Sequence, residues 1–297
     1  MSRTSFQLKL MILLLSLGLL AACAQPRLAP FEPKPTERRL TLAEIPPPQQ
    51  ILTAAVYAFP DETGQFRQTQ SGQAHYSRAV TQGAAAVLID TLRYVSNGQW
   101  FRVVERNRLD HVLTERSIIR DMRHGAVDSQ GNPLPQLRPL LYAGVIFEGS
   151  IVGYDTNTVT GGSGARLLGI GGHTEYREDV VTVNLRAVSS QTGEIWKSVM
   201  VSQRIYSMKI QADVFRFIST REILEMEAGF TRNKPRMVAL QQAVEEAVYI
   251  MIMEGTKLNL WSFADEHKGQ EAFTAYRERV NRKLTPDTSP ESLETGS

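Results

Sequence analysis

The sequence predicts an α/β (α+β) domain that carries two amphipathic transmembrane β-hairpins, each contributing to an oligomeric β-barrel. Three observations predict it. Buried-type strands at Ile51–Phe59, Phe101–Val104 and Ala143–Gly153 alternate with helical spacings over Val80–Tyr94, Leu109–Ile119 and a long run from near Pro235. Strict alternation of apolar and polar residues marks a first excursion from that domain, Tyr206–Phe230. A glycine-rich stretch, Asn157–Arg177, makes a second excursion of similar length.

At the N-terminus, Arg3 and Lys9 precede a hydrophobic run from Leu10 to Ala22, which ends in Leu20-Ala21-Ala22-Cys23. A basic start, an apolar core of about 7–15 residues and small residues before the cut describe a secretory signal. The run is too short for a spanning helix, which needs about 20 apolar residues. Leu-Ala-Ala-Cys resembles the bacterial lipobox, whose cysteine is lipidated and becomes the first mature residue. Cys23 is the only cysteine in 297 residues, so no internal disulfide competes for it. Removal of residues 1–22 and a covalent lipid on Cys23 are therefore expected, with no other cofactor. Ala24 and Gln25 follow rather than aspartate, which favours sorting to the outer membrane.

Arg3 and Lys9 also account for the formal charge of +2, which leaves the mature chain neutral. A neutral chain offers no electrostatic footprint for nucleic acid. The 42% hydrophobic content excludes wholesale disorder.

Residues 23–50 carry Pro26, Pro30, Pro33, Pro35 and Pro46-Pro47-Pro48 and read as an extended, lipidated tether. The α/β domain occupies residues 51–283. In it, Pro60-Asp61-Glu62-Thr63-Gly64 turns the chain out of the first strand, and Arg67–Ser77 is a polar loop. Val80, Ala84, Val87, Leu88 and Leu92 form one helix face; Leu109, Val112, Leu113 and Ile119 form another. Val127–Pro139 is loop, and Val180–Val188 with Ile195–Ile205 makes a hairpin about Gln191-Thr192-Gly193-Glu194. Met237, Leu240, Val244, Ala247, Val248 and Met251 mark the long helix, and residues 284–297 are a polar, disordered tail.

The excursions carry the functional signal. Tyr206, Met208, Ile210, Ala212 and Val214 alternate with Ser207, Lys209, Gln211 and Asp213. Phe215 to Arg221 interrupts the pattern, which returns with Leu224, Met226, Ala228 and Phe230 against Ile223, Glu225, Glu227 and Gly229. A strand crosses a bilayer at a tilt in roughly 9–11 residues. The alternation assigns Met208, Ile210, Ala212, Val214, Leu224, Met226 and Ala228 to a lipid face, and Lys209, Gln211, Asp213, Glu225 and Glu227 to a wet lumen. An amphipathic hairpin on a soluble sheet alternates in the same way. A periplasmic-facing lipoprotein that binds or senses without a pore therefore stays open on this evidence.

Motifs for chemistry are missing from the sequence. Gly161-Gly162-Ser163-Gly164-Ala165 falls one glycine short of a nucleophile elbow and lacks the GK[ST] of a phosphate loop. His75, His111, His124, His173 and His267 have no metal-ligand spacing, and a single cysteine excludes a thiolate zinc site. Asp61 and Glu62 are adjacent and would point apart on a strand end. The expectation is a protein without enzymatic activity.

Several motifs, in order, resemble one family. Asp61-Glu62-Thr63-Gly64-Gln65-Phe66, Phe147-Glu148-Gly149-Ser150-Ile151, Gly153-Tyr154, Gly164-Ala165-Arg166, Val183-Asn184-Leu185-Arg186 and Val214-Phe215-Arg216-Phe217-Ile218 are similar to the curli assembly/transport component. That family is the outer-membrane lipoprotein channel exporting curli subunits, and the similarity runs from the lipobox to about Leu260. It implies a homo-oligomeric ring of about nine copies, if a barrel of 36 strands takes four from each. It further implies unfolded curli subunits as substrate, moved by diffusion, with periplasmic and secreted accessory proteins as partners. In the family the loop after the first strand narrows the channel with a tyrosine and a later Asn-Phe pair. Alignment back from Ser77-Arg78-Ala79-Val80 puts His75 and Tyr76 over that pair, while the earlier tyrosine has no clear counterpart.

Overall fold

The computed structural model describes residues 35–63, 67–68, 74–75, 83–159, 176–211, 214–218 and 235–284. In chain order these form α1 (Glu37–Glu44), β1 (Leu52–Val56), β2 (Arg67–Gln68), β3 (Ala74–His75), α2 (Ala84–Tyr94), β4 (Phe101–Glu105) and α3 (Leu109–Arg123). There follow β5 (Val145–Val159), β6 (Tyr176–Ser189), β7 (Ile195–Gln211), β8 (Val214–Ile218), α4 (Pro235–Lys257) and α5 (Glu266–Leu284). One six-stranded sheet has the order β4-β1-β5-β6-β7-β8. β1 lies parallel to both β4 and β5, whereas β5 to β8 are antiparallel neighbours. A parallel pair needs a crossover, and the segment holding α2 supplies it between β1 and β4.

The sheet buries one face. Val145, Phe147 and Ile151 of β5, Val181, Val183, Leu185 and Ala187 of β6, and Val199, Val201 and Ile205 of β7 are all buried. Against β6 and β7 lies α4, whose residues 239, 240, 243, 244, 247, 248, 251 and 252 are buried in a broad stripe at helical spacing. The other face is polar and tied across strands: Arg186 to Glu148 at 2.8 Å, Ser198 to Asn184 at 2.9 Å, and Thr182 to Ser202 at 2.9 Å. Single-sided burial of this kind is what antiparallel strands with alternating sequence produce.

Residues 36–50 correct the expected tether. Thr36 caps α1 by accepting from the Arg39 amide at 3.0 Å, and Leu42 is fully buried. Beyond α1 the prolines are strapped to the chain's other end. Gln49 N donates to Ser262 O, Ala264 N donates to Pro47 O, and the Trp100 indole donates to Pro46 O. Trp100 meets Trp261 and Phe263 edge-on, which joins both termini of the domain to one aromatic cluster. Trp261 fits there because position 255 has no side chain: a Cβ on Gly255 would lie 2.1 Å from the indole.

α5 was absent from the expected elements. Asp265 caps it through the Lys268 amide, and Ala272, Phe273, Tyr276 and Val280 pack on the core. Polar contacts fix it to α4 and α1. Arg279 donates twice to Glu246 at 2.8 Å, Arg38 reaches the same carboxylate at 2.6 Å, and both guanidinium groups lie over the Tyr249 ring at 4.6 and 4.5 Å. Glu245 is fully buried, and that burial holds its carboxyl above the ordinary value despite donors from Thr36 and Gln241.

Burial would also raise Glu254. Hydrogen bonds from Lys197 at 3.0 Å and from Tyr276 at 2.9 Å outweigh it and hold the carboxyl below its ordinary value of 4.5. A depressed carboxyl stabilises the fold above the unfolded pKa, and that stability is lost as pH falls through the folded one. Glu254→Gln should therefore lower the melting temperature at pH 7. The gap to wild type should shrink as thermal melts are taken below pH 4.5. A gap that stays constant down to pH 3 would contradict the assignment.

Candidate functional site

The last buried side chains on these strands among the described residues are Tyr154 on β5, Asp179 on β6 and Ile205 on β7. At this level the inward position of β6 changes from valine, leucine and alanine to a carboxylate. Asp179 Oδ1 accepts from the Tyr154 hydroxyl at 2.6 Å, and the Thr156 hydroxyl lies 2.8 Å from both. A charged acceptor with an aromatic hydroxyl donor is the strong kind of hydrogen bond. On the outer face Arg204 pairs with Glu178 at 2.6 Å. Together these contacts form a polar collar around the root of the extension.

Past the collar the strands continue. Val159 pairs with Tyr176, Tyr176 with Met208, and Met208 with Arg216, so four strands share one row of the ladder. β7 alone has 17 residues, roughly 55 Å at the usual rise. β1 reaches β5 only at Val145–Phe147, and Pro60–Glu62 touch it at Ile151. Among the described residues, β5 beyond Ile151 has β6 as its only strand partner, and β8 has β7 as its only one. The extension is thus a four-stranded ribbon with two open edges among those residues.

The expected hairpins are continuations of the domain's own strands. Val145–Val159 and Tyr176–Ser189 form the first pair, with residues 160–175 between them outside the described set. The second pair corrects the expected strand Tyr206–Val214. β7 ends at Gln211, Val214 pairs opposite it, and Val214–Ile218 is the returning strand rather than part of an interruption over Phe215–Arg221. A register shift falls between Lys209 and Gln211. Val214 therefore leaves the single alternation that joined it to Met208 and Ile210.

Met208, Lys209, Ile210 and Gln211 lie on β7 as expected of a strand. Ala212, Asp213, Leu224, Glu225, Met226, Glu227 and Ala228 lie outside the described residues, as does Cys23. His75 belongs to a short antiparallel ladder in the expected loop, where Arg67 pairs with His75 and Gln68 with Ala74. Tyr76 lies outside the described residues. A pocket of about 370 Å³ at the ends of β1 and β4 is lined by Phe59, Asp61, Gly83, Asn107 and Arg108. Asp61 is engaged in a turn there, accepting from the amide and hydroxyl of Thr63 at 3.0 and 2.7 Å. Among the described residues no group of histidine, cysteine and acidic side chains could hold a metal ion. None of the described helices is long and apolar enough to cross a membrane.

Sequence reading did not single out the Tyr154–Thr156–Asp179 cluster. Its signal was present: an aspartate standing in phase with Val181, Val183, Leu185 and Ala187. Tyr154→Phe removes a hydrogen bond to a buried charge, which costs about 1.5–3 kcal/mol. Chemical denaturation of the two proteins should show that difference. A change under about 0.5 kcal/mol, the range of an ordinary surface substitution, would mean the hydroxyl is not needed.

Residues 36–280 match the family model described as curli production assembly/transport component CsgG. The protein of that description from Salmonella typhimurium is 38% identical over 276 residues, covering 90% of this chain and 96% of its own length. Its counterpart from Escherichia coli K12 is 37% identical, covering 88% and 93%; that of Citrobacter koseri is 38% identical with the same coverage. Solved structures overlap weakly. A PelC dodecamer from Paraburkholderia phytofirmans aligns with 68% of this chain and 87% of its own at 11% identity, with a TM-score of 0.28. The agreement in sequence is nearly end to end, and the chain belongs to the CsgG family of curli production assembly/transport components.

Proposed function

We propose that this protein is one protomer of an outer-membrane channel that exports unfolded curli subunits. The observation that carries the reading is the ribbon β5–β8, which runs out of a helix-covered sheet and, among the described residues, has two open edges. In lipid each unpaired backbone group costs several kcal/mol, so only closed barrels and helices span. Four strands fall short of the 8-strand minimum. Sharing strands around a ring, about nine copies if the barrel has 36, removes every edge. The relatives' description as curli assembly/transport components supplies the cargo.

In this reading the helix-covered domain hangs in the periplasm, and Cys23 carries the lipid that holds the chain to the outer membrane. Cys23→Ala should lose incorporation of radiolabelled fatty acid; retained label would remove that role. Transport is diffusive, since the sequence has no nucleotide-binding motif. A periplasmic accessory feeds or plugs the cage, and a secreted one couples export to nucleation.

Within the ribbon, Met208 faces lipid while Lys209 faces the lumen; the alternation is carried no further, because the register shift after Lys209 pairs Gln211 with Val214. Charge at the midplane of a barrel's lipid face costs about 2–4 kcal/mol. Met208→Arg should cut the membrane-inserted fraction, and Lys209→Glu should leave it unchanged while altering ion selectivity. Equal insertion of both would overturn these faces.

His75 and Tyr76 form the narrow ring, a slippery aromatic surface for an extended chain. Histidine is the side chain whose unperturbed titration falls between pH 5 and 8, so His75 would make the ring's charge pH-dependent. Single-channel recording on Tyr76→Ala should show raised conductance. Unchanged conductance would place the constriction elsewhere.

A further inference from the structure

We propose that Phe59 and Gly149 are positioning residues for the pore: they fix the leg by which the chain leaves β1 toward the narrow ring, and so set the aperture. The inference rests on the reading of His75 and Tyr76 as that ring, and deepens it.

Gly149 stands inside β5, opposite Leu185. It is in phase with Phe147 and Ile151, both buried in the core, so position 149 also points inward. A glycine inside a strand weakens it and marks a place where another group comes close. Here that group is the buried ring of Phe59. A Cβ on Gly149 would overlap the Cε2 and Cδ2 atoms of the ring. The ring thus fills the inward slot that Gly149 leaves empty, and a side chain at 149 would displace it.

The backbone on either side of Phe59 is held as well. Tyr57 O accepts from the side-chain amide of Asn107 at 2.7 Å. Ile151 grips the following residues with both of its backbone groups. Its N–H donates to Pro60 O and its carbonyl accepts from Glu62 N, each at 2.9 Å. Asp61 forms a parallel bridge with Ile151, and its carboxylate closes a turn over Thr63. Between them the ring of Pro60 fixes φ.

A buried ring alone would serve only the core. The place at which β5 is gripped gives it a further role. Ile151 stands directly before the register shift, and the Tyr154 collar follows it. The leg is therefore referenced to the strand that runs on into the ribbon. At its other end the loop returns to α2, whose first residue, Ala84, is fully buried. A chain between two fixed ends reaches only as far as about 3.3–3.6 Å per residue allows. Displacing one end displaces the residues between. In a cyclic ring every copy repeats the same displacement, so it is felt around the whole aperture.

The test uses the full-length protein, extracted in detergent and reconstituted in planar bilayers, with unit conductance read beside the melting temperature. Gly149→Ala drives a methyl group into the ring of Phe59 and should shift the unit conductance. Phe59→Val removes the ring atoms that meet that methyl group. Gly149→Ala combined with Phe59→Val should therefore return the conductance toward wild type, a coupling that independent sites do not show. Asn107→Ala frees the leg at an exposed side chain and should add open-channel current noise. Should Gly149→Ala fail to fold, Asn107→Ala decides alone. Wild-type conductance and noise in these variants, with only the melting temperature lowered, would overturn the positioning role. The ring reading would then still stand if Tyr76→Ala raises the conductance. A Tyr76→Ala channel of wild-type conductance would overturn both.

Discussion

Backbone hydrogen bonding at the two sides of the β5–β8 ribbon is the constraint on which the rest depends. Inside the domain each of these strands has partners, and one face is sealed by α4. Past Tyr154, Asp179 and Ile205 the ladder continues. A ribbon of that form is unsuited to lipid alone, since its outer N–H and C=O groups would go unpaired. Any membrane role therefore demands other strands, and the cheapest source is the same ribbon from a second copy.

The helix-covered half is built to hold that ribbon in register. A strand that slips by one residue exchanges its two faces, so the position of the collar matters. Tyr154 and Thr156 meet Asp179 where the core ends, directly after a register shift between Ile151 and Gly153. A one-residue slip would bring an apolar position to the hydroxyls and carry the carboxylate to the outer face, away from them. At the other end, α1 and α5 are clamped on α4 through Arg38, Arg279 and Glu246, and the residues 46–49 are strapped to 262–264. Residues 36–49, expected as part of a tether, are thus structural.

Much of this was legible in the residues, for reasons that can be named. The stripe Leu240–Val244–Ala247–Val248–Met251 declares α4 because every member is apolar and helically spaced. Strands β5 to β7 were legible from alternation, though each proved longer than its apolar stretch, since polar positions continue the ladder as well as apolar ones do. The turn after Gln211 was hidden for a related reason. Alternation scores Ala212 and Asp213 as two more strand positions, and Val214 happens to continue the pattern from the returning strand. α1 was hidden because its stability is tertiary: few of its residues are apolar, and it is held by ion pairs to residues some 200 positions away. The Asp179 cluster needed three-dimensional pairing to be seen, as Tyr154 and Asp179 meet only across two strands.

The central claim is that protomers close a shared barrel. Single-particle imaging of the wild-type protein, extracted from membranes in detergent, tests it most directly. The account predicts closed rings of about nine copies, with a continuous barrel above a cage of α/β domains and a central aperture. A preparation consisting only of monomers, or of rings in which the β5–β8 ribbons do not meet, would contradict it.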